Sequence, residues 1–387
     1  MTSGAFDRLA RLEPAAPMLA ALEGETGVWL VGGAVRDLML GGAPEDLDLV
    51  VEGDAVAVAR RAAARLGGEA LVHERFGTAT VRGAGIAFDL ASARRETYPR
   101  PGSLPEVELG ATLEDDLARR DFTVNTFALR LADGVLSAWP GAQEDLAARA
   151  LHVLHDASFR DDPTRLLRLA RYAGRLGFDV EPRTAELAAE AVRDNALDTV
   201  SGERLGAELR LLAREPQPAA LAALERLGVG AALLPGFTVA PTLIARAVAL
   251  CPEDARADLV ALGATLRRPP AERLAFPAGE AAALRSCAGV DALLAELATD
   301  PRPSHADAVL RRRPLEAAVL AAARGAEPAR DWLERGRHLR TAITGDDLLA
   351  AGLRGPAVGR ALQAARAALL DGEAPDRDTQ LAAALET

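Results

Sequence analysis

Aromatic residues are scarce in this chain: Phe, Trp and Tyr together make up 4% of its 387 residues, with only two tyrosines. Lysine is absent, so all 45 basic residues are arginine, for which a biased genome is the simplest account. Cys251 and Cys287 are too few and too far apart for a disulfide framework or a zinc site, and a reducing cytoplasm is expected. No apolar run approaches the roughly 18 residues needed to span a bilayer. Met1 to Leu12 mixes Asp7, Arg8 and Arg11 with short apolar stretches instead of a signal-peptide core, so secretion is not expected. An excess of positive charge is missing too. The formal net charge is −11, whereas phosphate contacts need a positive surface, so any nucleic-acid binding has to come from a local groove. The histidines at 73, 152, 155, 305 and 338 form no ligand cluster, and His152 and His155 beside Asp156 read as structural.

What is present changes character along the chain. Val28-Trp29-Leu30-Val31 is a short buried strand ending in Gly32-Gly33, and Ala34 to Leu40 reads as a short helix. Asp46 to Val51 is a second strand, and Ala55 to Leu66 an amphipathic helix stopped by Gly67-Gly68. Ala70 to His73, Thr78 to Arg82 and Ile86 to Leu90 give three more strands, with a hairpin from Phe127 to Leu131 and Gly134 to Ala138. From about Glu144 nearly every segment has helical periodicity, broken by proline and glycine at positions such as Pro182, Pro216 and Pro303. The pattern predicts a mixed α/β head with one sheet, followed by a long helical body.

Several clusters in the head carry chemistry. On one strand Asp46 and Asp48 share a face, because side chains two apart point the same way. Two hard carboxylates on one edge suit Mg2+, although an isolated Asp-x-Asp is more often a solvated strand end. Asp89, between Phe88 and Leu90, faces away from the apolar side of its strand and is placed to complete that site or take a proton. Gly32 and Gly33 let the backbone approach a phosphate, and Arg36 lies one turn into the helix as a clamp. Arg119, Arg120, Asp121 and Asn125 offer phosphate donors and ribose partners, or else a surface ion-pair cluster. Asp162 is read as a helix cap with Pro163 at the first position, and Arg165, Arg168, Arg171 and Arg175 as one basic face. An acid and an arginine at that helix start can read a base. Cytosine and adenine both present an amino donor beside a ring-nitrogen acceptor, and uracil and guanine the reverse.

In this order, the motifs resemble those of class II tRNA nucleotidyltransferases, the CCA-adding enzymes and their bacterial poly(A) polymerase relatives. Gly32-Gly33-x-x-Arg36-Asp37 with Asp46-x-Asp48 resembles the family's catalytic motif, and Arg119-Arg120-Asp121 through Asn125 its ribose-binding motif. Asp161-Asp162-x-x-Arg165 is similar to its amino-acid template for the incoming base, with Arg168 and Arg171 at nucleotide-contacting positions. Ser201-Gly202-Glu203-Arg204 resembles its neck helix, and Ile343 to Leu348 with Gly355-Pro356 its tail. The resemblance implies an α/β nucleotidyltransferase head over residues 1–140 and an all-α remainder. That remainder comprises a base-recognising neck over 141–210, an RNA-binding body over 211–335 and a tail over 336–387.

It further implies Mg2+-dependent transfer of CMP and AMP from CTP and ATP to the 3′ end of tRNA. Asp46 and Asp48 would hold the metal, with Asp89 assisting. Departures are Asp161 where Glu is usual, Thr126 where Ala is usual, and the segment Ala93 to Gly110 in place of the stretch that flexes between C and A addition. CC-only or A-only addition and poly(A) synthesis stay open, as does a different class, a non-catalytic RNA-binding protein. The intact Asp46/Asp48 pair argues against that last reading.

Overall fold

The computed structural model describes residues 3–13, 15–44, 46–215 and 218–386, so the expected break at Pro216 lies outside the described residues. The chain divides into two compact units, Met1–Val200 and Ser201–Thr387.

The first unit runs α1 (Ser3–Arg11), α2 (Ala15–Ala21), β1 (Val28–Val31), α3 (Gly33–Met39), β2 (Asp48–Val51), α4 (Ala55–Leu66), β3 (Glu69–His73), β4 (Thr78–Gly83) and β5 (Ile86–Ser92). It continues with β6 (Arg94–Thr97), β7 (Glu106–Leu109), α5 (Leu113–Ala118), β8 (Ala128–Arg130), β9 (Leu136–Ser137) and α6 (Ala142–Ala148). The last elements are β10 (Ala150–Leu151), α7 (Ser158–Asp161), α8 (Arg165–Leu176), β11 (Asp179–Val180) and α9 (Pro182–Arg193). Seven strands form one sheet in the order β3-β4-β5-β2-β1-β8-β9. Its β2–β5 pair is parallel, and its other neighbours are antiparallel.

Local chemistry sets these bounds. β1 is buried along its whole length, as an unbroken apolar run in a central strand should be. Asp54 caps α4 by accepting from the Ala57 N–H, and Gly67 ends it at φ +61°. The apolar stripe of α4, Ala55 to Ala63, packs under β4 and β5. In β5, Phe88 and Leu90 are buried while Asp89 is exposed, so the strand's alternation survives in the fold.

Two strand pairs were not read from the sequence. Residues 93–110, for which no element was expected, contain an antiparallel hairpin, with Arg94 opposite Leu109 and Glu96 opposite Val107. The first strand, Arg94-Arg95-Glu96-Thr97, has no apolar residue, and the second offers only Val107 and Leu109, both exposed, so the sequence signal is short and weak. The region after Glu144 also holds a two-residue parallel pair, with Ala150 opposite Asp179, too short to leave a periodic signal.

In the second unit every regular element among the described residues is helical. The helix Leu315–Ala323 is its axis, buried on all sides from Glu316 to Ala323. Prolines expected as breaks serve as first-turn residues: Pro303 opens the helix Pro303–Leu310, as Pro182 opens α9. Buried Asp307 accepts from Trp332 Nε1 at 2.8 Å and from Arg366 at 2.7 Å, tying three helices together. The run Arg311-Arg312-Arg313 is partly spent within the unit: Arg311 pairs with Asp307 and Arg313 with Glu296. The three C-terminal helices enclose a small core of Ile343, Leu348, Ala361, Ala365 and Ala384.

Candidate active site

Gly32 forms the corner between β1 and α3. It sits at φ +70°, ψ −131°, a conformation that glycine alone adopts readily. A Cβ there would lie 2.6 Å from Arg120 Nη1. Gly32→Ala is therefore expected to lower stability by at least about 2 kcal/mol and to push Arg120 aside. Urea denaturation reads the first effect, and an unchanged midpoint would mean that the corner is not strained.

The parallel register of β2 and β5 sets Asp48 directly opposite Asp89, on the same face of the sheet. Asp89 is fixed by Thr80, its partner on β4, whose hydroxyl donates to Oδ1 at 2.5 Å. Partial removal from water pushes the Asp48 carboxyl above its ordinary value. The charges of Asp89 and Asp46 add to that rise, and Arg120 opposes it. Asp46 is not on the strand, as expected from sequence, but in a bend ahead of it, because β2 begins at Asp48. Among the described residues no three ligand-type side chains converge into a preformed cage. An open edge of carboxylates still fits a cation that keeps several waters and takes its other oxygens from a substrate phosphate.

Beside this edge lies a network of arginines. Asp116, fully buried on α5, accepts from Arg119 Nε and Nη2 at 2.9 Å and from Arg120 Nη2 at 3.0 Å. Arg120 Nη1 also donates to the Asn125 carbonyl at 3.2 Å, while its Nε is buried without a partner, a donor still short of an acceptor. Asp121 is 6% exposed and accepts from Asn125 Nδ2 at 2.9 Å and Arg168 Nε at 2.8 Å. Burial alone would raise the Asp121 carboxyl, but the Arg168 charge and these bonds hold it at about 2.

Arg36 departs from its expected role. It is 2% exposed and donates to Asn125 Oδ1 at 2.5 Å and to Asp37 Oδ1 at 2.9 Å, so its fork is spent inside the fold and away from the cavity. It positions Asn125, whose other end holds Asp121.

The start of α8 also differs from expectation. The helix begins at Arg165, and Asp162 accepts from the Thr164 N–H and hydroxyl, which makes it the cap of a turn leading into the helix. Arg165 is buried and so does not share a solvated face with Arg168. It donates to Ser158 Oγ at 2.7 Å and to the Arg119 carbonyl at 2.8 Å. The sequence could not show this, because Ser158 and Arg119 lie outside the helix.

One cavity of about 650 Å3 brings together Gly32, Gly33, Asp48, Asp89, Arg119, Arg120, Asp121, Asn125, Asp162, Arg165 and Arg168. Arg36, Asp46, Asp161 and Arg171 do not line it. Asp161 closes α7 and accepts the Gly102 N–H on its carbonyl, and Arg171 lies over the Tyr172 ring at 5.2 Å. Sequence reasoning missed Asp116, Glu96, Tyr98 and Tyr172. Asp116 was findable, three and four residues ahead of Arg119 and Arg120 on one helix face. Glu96 and Tyr98 had no such signal.

The model of the Poly A polymerase head domain matches residues 28–152. The chain is 39% identical over 347 residues to the CC-adding tRNA nucleotidyltransferase of Deinococcus radiodurans, covering 87% of this chain and 83% of that one. It is 42% identical over 225 residues to the A-adding tRNA nucleotidyltransferase of Geobacter sulfurreducens, covering 57% of this chain and 26% of that one. The chain spans only 23% to 54% of the length of the A-adding relatives it matches. Among solved structures, the Thermotoga maritima CCA-adding enzyme complexed with tRNA superposes with a TM-score of 0.76 at 26% identity, over 100% of this chain and 98% of that one. Sheet, cavity and head-domain match together define a nucleotidyltransferase head on a helical chain. Within that class, the chain belongs to the tRNA nucleotidyltransferase family.

Proposed function

We propose that the protein transfers CMP and AMP from CTP and ATP to the 3′ end of tRNA, without a nucleic-acid template and with release of pyrophosphate. The observation that carries this reading is a single cavity lined both by the Asp48/Asp89 edge and by the arginines and acids from Arg119 to Arg168. Nucleotidyl transfer needs an acidic edge for a hard cation and cationic donors for a triphosphate within reach of each other. The proposed place of action is the cytoplasm.

Asp46 and Asp48 are the residues that would hold Mg2+, with Asp89 assisting. Burial lifts Asp48 most, and the share added by the neighbouring carboxylates would be relieved by a cation between them. When bound, Mg2+ supplies a counter-charge to the triphosphate and acidifies the attacking hydroxyl. The glycine corner leaves room for phosphate oxygens, and Arg119 and Arg120 donate to them. Asp121 and Asn125, committed to Arg168 and Arg36, shape the ribose wall. Asp162 accepts from the base's amino group and Arg165 donates to its ring nitrogen, since the guanidinium carries five N–H groups. Uracil and guanine would leave both groups mispaired, which disfavours them. Arg94, Arg119, Arg120, Arg165 and Arg168 gather cationic donors locally in a chain of net charge −11, beside an equal number of acids in the cavity lining.

The test is extension of tRNAs lacking CCA, and of tRNAs ending in CC, with CTP, ATP or both and Mg2+. Two C additions, then one A, then a stop are expected. A long A tail would replace this reading with poly(A) synthesis, and no extension with a non-catalytic role. One observation favours a product that stops at CC: the CC-adding relative aligns over 87% of this chain but the A-adding ones over 48% to 59%. In that case CTP alone gives the whole product.

A further inference from the structure

Both tyrosines of the chain, Tyr98 and Tyr172, line the cavity. Tyr172 is already engaged: its ring meets Phe122 edge-on at 5.9 Å and has the guanidinium groups of Arg36, Arg168 and Arg171 within 5.6 Å of its centre. Tyr98 is held in a different way. It follows β6 directly, and its hydroxyl donates to Glu96 Oε2 at 3.3 Å. The other oxygen of Glu96 accepts from Arg94 at 2.9 Å and Arg119 at 3.1 Å, and the Arg119 carbonyl in turn accepts from Arg165. Burial keeps the Tyr98 hydroxyl protonated by raising its pKa, so it remains a donor to Glu96.

Beyond Tyr98 the loop is fastened a second time. The Gly102 N–H donates to the Asp161 carbonyl at 3.2 Å, one residue from Asp162. Gly102 sits at φ +69°, and a Cβ there would lie 2.0 Å from Thr199 Oγ1, so this anchor accepts only glycine. Tyr98 thus lines the cavity between two anchors, near enough to Asp162 and Arg165 for their charges to act on its hydroxyl. Those two residues address only the edge of a base. Contacts in the plane leave the base free to tilt, and an aromatic face is the group that removes that freedom.

We propose that Tyr98 is a specificity-determining residue whose ring packs on the face of the incoming base and holds it in the plane that Asp162 and Arg165 read. This rests on the nucleotide-transfer reading above. The hydroxyl is a tether, and the ring makes the contact.

The experiment is isothermal titration of the full chain, with Mg2+ and no tRNA, using CTP and inorganic tripolyphosphate as separate probes. Tyr98→Leu fills the space without a π-face, and Tyr98→Phe keeps the ring without the tether. Tyr98→Leu is expected to weaken CTP about 10-fold while leaving tripolyphosphate within about twofold. Tyr98→Phe should stay within about twofold for both probes. Unchanged CTP affinity in Tyr98→Leu would overturn the proposal, as would an equal loss for both probes. Tyr98→Phe falling as far as Tyr98→Leu would assign the effect to the tether and overturn it too. Wild-type protein that prefers CTP over tripolyphosphate but extends no tRNA would sink the transfer reading alone and leave the Tyr98 result standing.

Discussion

Replacing Asp48 by Ala is expected to lower nucleotide addition to a tRNA 3′ end by about 10^3-fold or more, with tRNA affinity unchanged. Asp48 opens onto the cavity opposite Asp89, and its pKa is raised by partial burial and by two neighbouring carboxylates. An acid with a raised pKa is one that the fold would more easily hold neutral, so removing its charge should not lower the melting temperature. Loss of activity with undiminished stability separates a functional charge from a structural one. The same substitution at Asp46 should cost as much activity, because one carboxylate is a poor anchor for Mg2+ and the bend before β2 leaves Asp46 as the adjacent acid. Full activity in either variant would remove the metal assignment, and a matching collapse in stability would make Asp48 a structural residue.

Asp121→Asn is expected to lose about 2 kcal/mol of stability at pH 7. The folded protein holds the Asp121 carboxyl at about 2, below its ordinary value of 3.8. A depressed folded-state pKa adds stability that is complete above the ordinary value and disappears as pH falls towards the depressed one. The deficit of the variant, measured by urea unfolding, should therefore be full at pH 7 and shrink between about pH 4 and pH 2. Asn keeps the shape, so the loss reports the charge that pairs with Arg168 at 2.7 Å. A deficit independent of pH would mean that packing and not ionisation is at stake. Because Asp121 links Asn125 to Arg168, the variant should also bind CTP less tightly.

Much of the head was legible because its signals are local. The bounds of α4 follow from a capping acid, an apolar stripe and a terminal glycine, each within a few residues of the others. Strands β4 and β5 announce themselves by alternation, and that alternation already put Asp89 on the face away from the core. The hairpin of residues 94–109 stayed hidden because its first strand has no apolar residue and its second alternates over only four exposed positions. Glu96 and Tyr98 stayed hidden with it, since Arg119, which Glu96 holds, and Asp162 and Arg165, which share the cavity with Tyr98, lie more than twenty positions away.

By itself, the sequence determined which residue types are available and on which elements they ride: an acid pair next to a strand, a glycine corner, an arginine pair and an acid-led helix. It also determined the switch from sheet to helix, because side-chain periodicity is a property of neighbouring residues. Only the tertiary structure decided how those groups are used. It turned Arg36 inward to hold Asn125, set Asp48 beside Asp89 through a parallel register, and placed Arg165 between Ser158 and the Arg119 carbonyl. The physical reason is that hydrogen bonds and charge pairs act over a few ångströms of space, and a linear sequence records no such distances.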